Sequence, residues 1–251
     1  MHRFYLPPER AAQSELLLDE RESHHAANVL RVRQGERVVV LDGRGIECMC
    51  EVLSLAKNAV RLRVQQRNRI APLPYRITLL QAMTKGKSMD AIIQKAAELC
   101  AARVVPLAAE RSVAQVEEES REAKLEKWRA IAIDAIKQCG SAWLPQIEAP
   151  VTPREFLARN ERFELPLIAA LHSSSRHPRE RFQTFVEEQS RLPKSLCVWV
   201  GPEGDFTPAE SNDILSAGVL PITLGQVILR SETAAVYCLS VLNYELQAPR
   251  G

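Results

Sequence analysis

The chain has 251 residues, enough for one large domain or two ordinary ones, and its formal net charge is +2. With 46% hydrophobic and 25% charged residues it can bury a core and stay in solution. No apolar run approaches the roughly 18 residues of a membrane span, and the N-terminal segment has no signal-peptide pattern. We therefore expect a cytoplasmic protein that makes no membrane contact.

The first 70 residues are predicted to be mainly strands. Strands over Arg37–Asp42 and Ile46–Leu53 flank Gly43-Arg44-Gly45, a three-residue hairpin connection in which glycine can take a positive φ. A third strand over Ala59–Val64 follows, and one helix near Glu22–Leu30 interrupts the series. Apolar and polar residues alternate with period two, which indicates an antiparallel sheet or a small barrel.

The third strand lies in a basic stripe. Residues 57–69 contain no acidic residue and five basic ones, Lys57, Arg61, Arg63, Arg67 and Arg69. Such a stripe could follow the phosphates of a nucleic acid, or it could be the solvated face of a strand. Charge alone leaves both interpretations open.

The segment 68–75 contains two prolines and no periodicity, so we place a domain boundary there, between domains 1–70 and 73–251. After it, strands and helices alternate, which predicts a parallel sheet covered on both faces. Two helix starts carry capping boxes with proline in the first turn, at Thr152–Glu155 and Thr207–Glu210. The predicted strands are Arg76–Gln81, Val104–Leu107, Pro166–Leu171, Leu196–Val200 and Ile222–Leu224, and the predicted helices are Met89–Cys100, Glu122–Gln138 and Ala234–Leu246.

Ligands of open parallel sheets bind beyond the carboxyl ends of the strands, so the loops there are the candidate sites. Gly201-Pro202-Glu203-Gly204 follows one strand directly, and its glycines allow a ligand to approach the main chain. Leu224–Thr233 follows another strand. There Ser231 or Thr233 could be a helix N-cap, and Arg230 with Glu232 could be a surface ion pair.

Other polar residues at strand ends are weaker candidates. His172 is either a general base or a hydrogen-bonded loop residue. Gly86-Lys87-Ser88 imitates the end of a phosphate-binding P-loop, but Gln81 stands where that motif needs glycine. The six cysteines form no C-x-x-C pair and the five histidines show no ligand spacing, so we predict no metal site.

Taken together, these segments resemble the RsmE family of SPOUT-class methyltransferases over nearly the whole chain. The most specific matches are Gly201–Gly204 and the stretch from Leu224-Gly225 to Ile228-Leu229-Arg230-x-Glu232-Thr233-Ala234, about twenty residues further along. Weaker matches are Arg3-Phe4-Tyr5, His25 with Val29-Leu30-Arg31 and Gly35, Gln81-Ala82, Lys85-Gly86, Met89-Asp90 and Gln94–Leu99.

The resemblance implies a PUA-like β-barrel that binds RNA, followed by a SPOUT α/β domain with a parallel sheet and a trefoil knot. It implies S-adenosylmethionine as cofactor, a homodimer, and methylation of N3 of a uridine in the 16S ribosomal RNA of the small ribosomal subunit. The cofactor-binding residues would be Leu171, His172, Gly201, Pro202, Glu203, Gly204, Leu224, Gly225, Ile228 and Leu229.

For catalysis, we expect Arg230 to stabilise the uracil anion and Glu232 or Glu203 to accept the proton. The expected RNA-binding residues are Arg3, Arg31, Arg33, Lys85 and Lys87. Two rival functions stay open: a SPOUT methyltransferase with another RNA target, and a non-catalytic RNA-binding assembly factor that kept the fold.

Two positions depart from the family pattern. Asp205 stands where a third glycine is common, and with this difference we still expect the cofactor to bind. Lys137 stands where a glutamate is expected, and Ser141-Ala142-Trp143 replaces an expected arginine. The second departure removes one expected basic group near the expected active site.

Overall fold

The structure is a computed structural model that describes residues 1–56, 59–112, 119–170 and 172–247. The chain divides into two compact units, Met1–Pro72 with Ile133–Leu144, and Leu73–Ala132 with Pro145–Gly251. The division into domains 1–70 and 73–251 stays a prediction. No helix in the described ranges is both long and apolar enough to cross a lipid bilayer.

The first unit is built on a five-stranded sheet with the order β1-β3-β4-β5-β2. Strand β1 is parallel to β3, and the other neighbours are antiparallel. The turn predicted at Lys57-Asn58 lies outside the described residues. The elements are β1 (Arg3–Tyr5), α1 (Pro8–Ala11), β2 (Glu15–Leu17), α2 (Glu20–His24), a π-helical turn (His25–Val29), β3 (Arg37–Leu41), β4 (Ile46–Ala56) and β5 (Ala59–Arg69).

The period-two pattern predicted for this sheet is confirmed. On β4 the side chains of Cys48, Cys50 and Val52 are buried, and their neighbours along the strand are more exposed. The single helix predicted near Glu22–Leu30 is instead a short α-helix followed by a wider turn. That turn is closed by the hydrogen bond from the Leu30 N–H to the His25 carbonyl.

The basic stripe on β5 has partners within the sheet. Arg63 lies opposite Glu15 on β2 and opposite Glu51 on β4, so acidic residues flank it on both sides. The Arg67 guanidinium donates hydrogen bonds to the carbonyls of Ala11 and Gln13. This arrangement favours the solvated strand face over a stripe that follows phosphates.

The segment Ser141-Ala142-Trp143 pairs with the hairpin connection between β3 and β4. The Gly45 N–H donates to the Ala142 carbonyl at 2.9 Å, and a Cβ at Gly45 would lie 2.5 Å from the Trp143 ring. Gly45 also has φ +94°. The departure from the family pattern at this segment is therefore accommodated by glycine in the hairpin, which leaves room for the indole.

Lys137 makes a buried ion pair in the same unit. Its Nζ lies 2.6 Å from Glu22 Oε1, and the two side chains are 8% and 5% exposed. Asp134 is a second partner at 2.9 Å, and its other oxygen lies 2.6 Å from the Arg21 guanidinium. The lysine that replaces an expected glutamate is thus matched by an acidic residue buried with it.

The second unit contains a six-stranded sheet with the order β11-β9-β10-β6-β7-β8. All of its neighbouring strands are parallel, which confirms the predicted sheet. The strands are β6 (Arg76–Ala82), β7 (Arg103–Leu107), β8 (Gln146–Ile147), β9 (Leu165–Ala169), β10 (Ser195–Val200) and β11 (Leu220–Ile222). The helices are α3 (Ser88–Glu98), α4 (Glu119–Cys139, grouped with the first unit from Ile133 onward), α5 (Pro153–Ala158), α6 (Pro178–Gln189), α7 (Pro208–Ser216) and α8 (Ser231–Gln247).

Both predicted capping boxes are present, at Thr152–Glu155 before α5 and at Thr207–Glu210 before α7. The sequence predicts the last strand at Ile222–Leu224. This prediction is wrong, because β11 begins two residues earlier, at Leu220, and ends at Ile222. It includes Pro221, which has no N–H to donate and is tolerated because β11 is an edge strand.

The middle of the second unit is a packed aromatic core next to β10. The buried Trp199 ring packs edge-to-face against Phe156 and Phe206, with ring centroids 5.4 and 6.3 Å apart. Phe206 belongs to the chain immediately after the Gly201–Gly204 turn. This packing fixes the end of β10 and the turn that follows it.

Candidate active site

A cavity lies at the carboxyl ends of β9, β10 and β11. The turn after β10 and the loop after β11 meet there, where the sequence predicts a ligand site. The lining is mostly apolar. It consists of Ala169, Ala170, Val200, Gly201, Pro202, Glu203, Asp205, Leu224, Gly225, Val227, Ile228, Leu229, Ser231 and Ala234.

The Gly201–Asp205 turn has a tightly determined backbone. The Asp205 N–H donates to the Pro202 carbonyl at 2.9 Å, and Asp205 has φ +59°, in the left-handed region. That conformation explains why glycine is common here in the family. A Cβ at Gly201 would lie 2.8 Å from Asp205 Oδ1, so any larger residue at position 201 would displace the Asp205 carboxylate.

Three elements are joined through the Ser231 hydroxyl. It donates to the Gly201 carbonyl at 2.7 Å and accepts from Gln81 Nε2 at 2.9 Å. Gln81 is on β6, Gly201 follows β10, and Ser231 is the first residue of α8. Because α8 begins at Ser231, neither Ser231 nor Thr233 is its N-cap, and the helix starts three residues before the predicted Ala234.

The loop after β11 exposes apolar side chains at the mouth of the cavity. Val227 and Ile228 are 68% and 83% exposed. Gly225 has φ +117°, and the Thr223 hydroxyl both accepts from its N–H and donates to its carbonyl, each at 3.2 Å. Large exposed apolar side chains around a concave site are typical of a surface that a ligand covers.

The cavity lining carries negative charge. Among its described residues, Glu203 and Asp205 are acidic and none is basic. Backbone polar groups of the two loops lie beside the apolar side chains. The arrangement suits a ligand with a planar apolar part, several hydrogen-bonding groups and a cationic part.

Most of the predicted cofactor-binding residues meet in this cavity. Those that line it are Gly201, Pro202, Glu203, Leu224, Gly225, Ile228 and Leu229. Gly204 is outside the lining, and its carbonyl accepts a hydrogen bond from Arg111 at 3.0 Å. Leu171 lies outside the described residues.

His172 is not in the lining, and it makes local contacts instead. Its Nδ1 is 2.7 Å from the Ser174 hydroxyl, and its N–H donates to the Ser175 hydroxyl at 3.3 Å. This is the hydrogen-bonded loop residue that was the alternative interpretation of the sequence.

The three predicted catalytic residues are in different places. Glu203 lines the cavity, whereas Arg230 is exposed and follows the lining residue Leu229 without joining the lining itself. Glu232 lines a separate groove between α3 and α8, together with Lys95 and Tyr237. No ion pair joins Arg230 to Glu232, both of which the structure describes.

Sequence reasoning missed several lining residues. Asp205 appeared only as a departure from the family pattern, and Ser231 only as a possible N-cap. Ala169 is the last residue of β9 and Ala170 follows it, so the rule that ligands bind beyond the carboxyl ends of strands could have indicated both residues.

Buried thiols are not candidate catalytic groups, because burial raises the pKa of Cys197 and of Cys238 to about 12.

The predicted RNA-binding residues differ in how free their side chains are. Arg3 is partly engaged, since its guanidinium donates to the carbonyls of Lys137 and Gln138 at 3.3 Å. The other four side chains are exposed, namely Arg31, Arg33, Lys85 and Lys87. The described residues contain no group of three or more potential metal-ligating side chains, and the absence of a metal site stays a prediction.

Two family models match the chain. The one described as RNA methyltransferase domain matches residues 71–243, and the one described as RNA methyltransferase PUA domain matches residues 18–65. The ribosomal RNA small subunit methyltransferase E of Bacillus subtilis is 32% identical over 233 residues, which are 92% of this chain and 90% of that protein.

Solved structures are similar along the same length. A Legionella pneumophila protein solved in complex with the cofactor SAM has a TM-score of 0.86 at 32% identity, with 96% of each chain covered. The ribosomal RNA small subunit methyltransferase E of Neisseria gonorrhoeae, bound to S-adenosyl methionine, has a TM-score of 0.83 at 27% identity, again with 96% of each covered.

These similarities confirm the expected fold class, a parallel α/β methyltransferase domain of the SPOUT type preceded by a PUA-like domain. They cover both sheets and both loops that form the cavity. The chain belongs to the ribosomal RNA small subunit methyltransferase E family.

Proposed function

We propose that this protein transfers a methyl group from S-adenosylmethionine to N3 of a uridine in the 16S RNA of the small ribosomal subunit. Family membership supports the general reaction, methylation of ribosomal RNA with S-adenosylmethionine as donor. The observation that carries the proposal is the meeting of the Gly201–Asp205 turn and the Leu224–Leu229 loop in one cavity. The position and the target RNA come from the resemblance seen in the sequence.

The residues of the cavity fit this cofactor. Leu224, Ile228 and Leu229 offer apolar surface to an adenine ring, and the backbone groups at Gly201 and Glu203 can bond its polar edge and the ribose. The cofactor, when bound, supplies an electrophilic methyl group on a sulfonium. The protein has to bind it, exclude water and align the acceptor nitrogen at about 3–3.5 Å.

Uridine N3 carries a proton at neutral pH and is a poor nucleophile until it loses it. We assign stabilisation of the resulting uracil anion to Arg230, and its exposed position next to the lining residue Leu229 supports this assignment. Glu203, which lines the cavity, is the favoured proton acceptor, and Glu232 is the alternative from the neighbouring groove. The N3–carbon bond forms as the carbon–sulfur bond breaks, and the proton passes to the carboxylate.

We further propose that RNA is held by exposed basic residues of both units, with Arg31 and Arg33 in the first and Lys85 and Lys87 in the second. Arg3 contributes less, because its guanidinium is already hydrogen-bonded. N3 lies on the pairing edge of uracil, so the target nucleotide has to be unpaired or flipped out. An RNA of the small subunit implies action in the cytoplasm.

A homodimer and a trefoil knot are also part of the proposal. The groove between α3 and α8 is mostly apolar and includes Tyr237, which is 41% exposed, so a second copy could cover it.

The proposal of a trefoil knot is supported by the path of the chain. Strand β11 lies at the sheet edge beside β9, yet α8, which follows it, packs against β10 and β6. The chain therefore returns across the sheet after β11, as threading of this segment requires.

The test is to incubate the protein with labelled S-adenosylmethionine and small subunits from a strain that lacks the modification. Nuclease digestion and mass spectrometry then locate the methyl group, which we expect on N3 of one 16S uridine. A methyl group on transfer RNA or on a 2′-hydroxyl would identify a different RNA target. Failure to bind S-adenosylhomocysteine in calorimetry would indicate a non-catalytic assembly factor instead.

A further inference from the structure

Asp205 is an acidic residue in the cavity where the family pattern has glycine. Its carboxylate is exposed and lines the cavity. Aspartate tolerates a left-handed φ of +59° better than most residues do, because its side chain can bond locally, but glycine would adopt it at no cost. The side chain therefore needs an explanation.

A local hydrogen bond accounts for part of the Asp205 side chain. Its Oδ1 accepts from the Phe206 N–H at 2.8 Å and would lie 2.8 Å from a Cβ placed on Gly201. This bond holds the carboxylate on the cavity side of the turn. The second oxygen, Oδ2, makes no hydrogen bond or ion pair with any residue in the described part of the chain, and Arg111 nearby bonds to the Gly204 carbonyl instead.

The polarity of the cavity indicates which part of a ligand meets this oxygen. The loop after β11 contributes apolar side chains, whereas the turn after β10 contributes Glu203 and Asp205 and no basic residue. An adenosyl ligand whose heterocycle packs against the apolar loop would extend its charged part toward the turn that carries the two carboxylates. In S-adenosylmethionine that end carries a positive sulfonium.

We propose that Asp205 is a specificity residue of the cofactor site, which favours the cationic methyl donor over its neutral thioether product. This inference rests on the proposed function. Methyl transfer removes the positive charge from sulfur, so the attraction to Asp205 exists for S-adenosylmethionine and is lost for S-adenosylhomocysteine. The carboxylate therefore selects the donor and assists departure of the product.

The experiment compares three ligands by calorimetry: S-adenosylmethionine, S-adenosylhomocysteine, and sinefungin, which carries an amine in place of the methylated sulfur. Asp205→Asn retains an oxygen that can accept from Phe206 and removes the charge. It should weaken binding of the two cations by about three- to fivefold and change binding of the neutral product by less than about twofold. Asp205→Gly should weaken binding of the two cations, relative to binding of the neutral product, by the same factor.

Two controls isolate the effect. Asp213→Asn removes the same charge from an exposed position on α7 outside the cavity, and should leave all three affinities unchanged. Raising the salt concentration from about 50 mM to about 500 mM should reduce the difference in affinity for the two cationic ligands between wild type and Asp205→Asn. In turnover assays, Asp205→Asn should make the product a relatively stronger inhibitor.

An equal loss of affinity for all three ligands would overturn the inference, since it would indicate that Asp205 contacts a group that they share, such as the ribose. Unchanged affinities would also overturn it and leave Asp205 with only its role in the turn. Either result leaves the proposed function standing. If wild-type protein binds none of the three ligands, the proposed function itself fails.

Discussion

The cavity at the end of β10 and the basic face of β5 are built from opposite kinds of residue. The cavity uses residues that determine backbone conformation, Gly201 and Pro202, with apolar side chains around them. The β5 face is rich in arginine, but Arg63 lies opposite acidic residues and Arg67 bonds to backbone carbonyls.

The difference teaches that charge along a sequence is a weaker guide to a site than backbone-determining residues are. A strand places every second side chain beside residues of the adjacent strands, and those are far away in sequence. A glycine with a close neighbour, in contrast, fixes the path of the chain wherever it stands. The same caution applies to Lys137, whose charge is matched by the buried Glu22.

The largest effect is expected on turnover, when the positive charge of Arg230 beside the cavity is removed. Arg230→Ala should lower turnover by about 10²- to 10³-fold, because the uracil anion loses its preorganised partner. Affinity for S-adenosylhomocysteine should stay within severalfold of wild type, and Arg230→Lys should recover part of the rate. Loss of cofactor binding in Arg230→Ala would make the arginine structural.

A buried charge of the first unit should matter for stability rather than for function. Lys137→Met leaves Glu22 buried without its main partner and should cost about 3–5 kcal/mol in the free energy of unfolding, measured with urea. Lys127→Met is the matched control, since the pair of Lys127 with Asp90 is exposed at the lysine (58%). That change should cost less than about 1 kcal/mol. Equal costs for the two variants would contradict the role given to the Lys137 pair.

The importance of backbone shape in the cavity can be tested at two glycines. Gly201→Ala puts a Cβ 2.8 Å from Asp205 Oδ1, whereas Gly204→Ala meets nothing closer than Arg111 at 3.6 Å. Affinity for S-adenosylhomocysteine, which should not depend on the charge of Asp205, should fall by about tenfold or more in the first variant and little in the second. Adding Asp205→Gly to Gly201→Ala should restore most of the loss. A double variant as weak as the single one would show that the contact is not the cause.

The smallest expected effect separates two groups of arginines in the first unit. Reversing the charge of Arg31 and Arg33, which are exposed, should weaken RNA binding by about five- to tenfold and flatten its dependence on salt. The same reversal at Arg61 and Arg63 on β5 should change RNA binding much less. If the two pairs of variants behave alike, the β5 face takes part in RNA binding after all.

Much of the fold could be predicted because its determinants are local. The capping boxes at Thr152 and Thr207 need only four consecutive residues, and both are found. Alternation along β4 follows from periodicity, and the parallel orientation of strands in the second sheet follows from the alternation of strands and helices. The start of α8 could not be predicted, because Ser231 bonds to a carbonyl thirty positions away in sequence.

The site was predictable in part for the same reason. The glycines of the two loops and the apolar residues Ile228 and Leu229 could be identified from the sequence and line the cavity. The contribution of Asp205 depends on a positive φ and on a contact with Gly201, neither of which composition or spacing reveals. The orientation of Glu232 into another groove depends on where α8 starts.

The proposed reaction requires that this cavity holds the methyl donor, and a crystal structure of the protein soaked with S-adenosylhomocysteine tests this most directly. We expect the adenine against Leu224, Ile228 and Leu229, and the homocysteine sulfur on the side of Glu203 and Asp205. Ligand density in another part of the molecule, with this cavity unoccupied, would contradict the assignment of the site and of the residues around it.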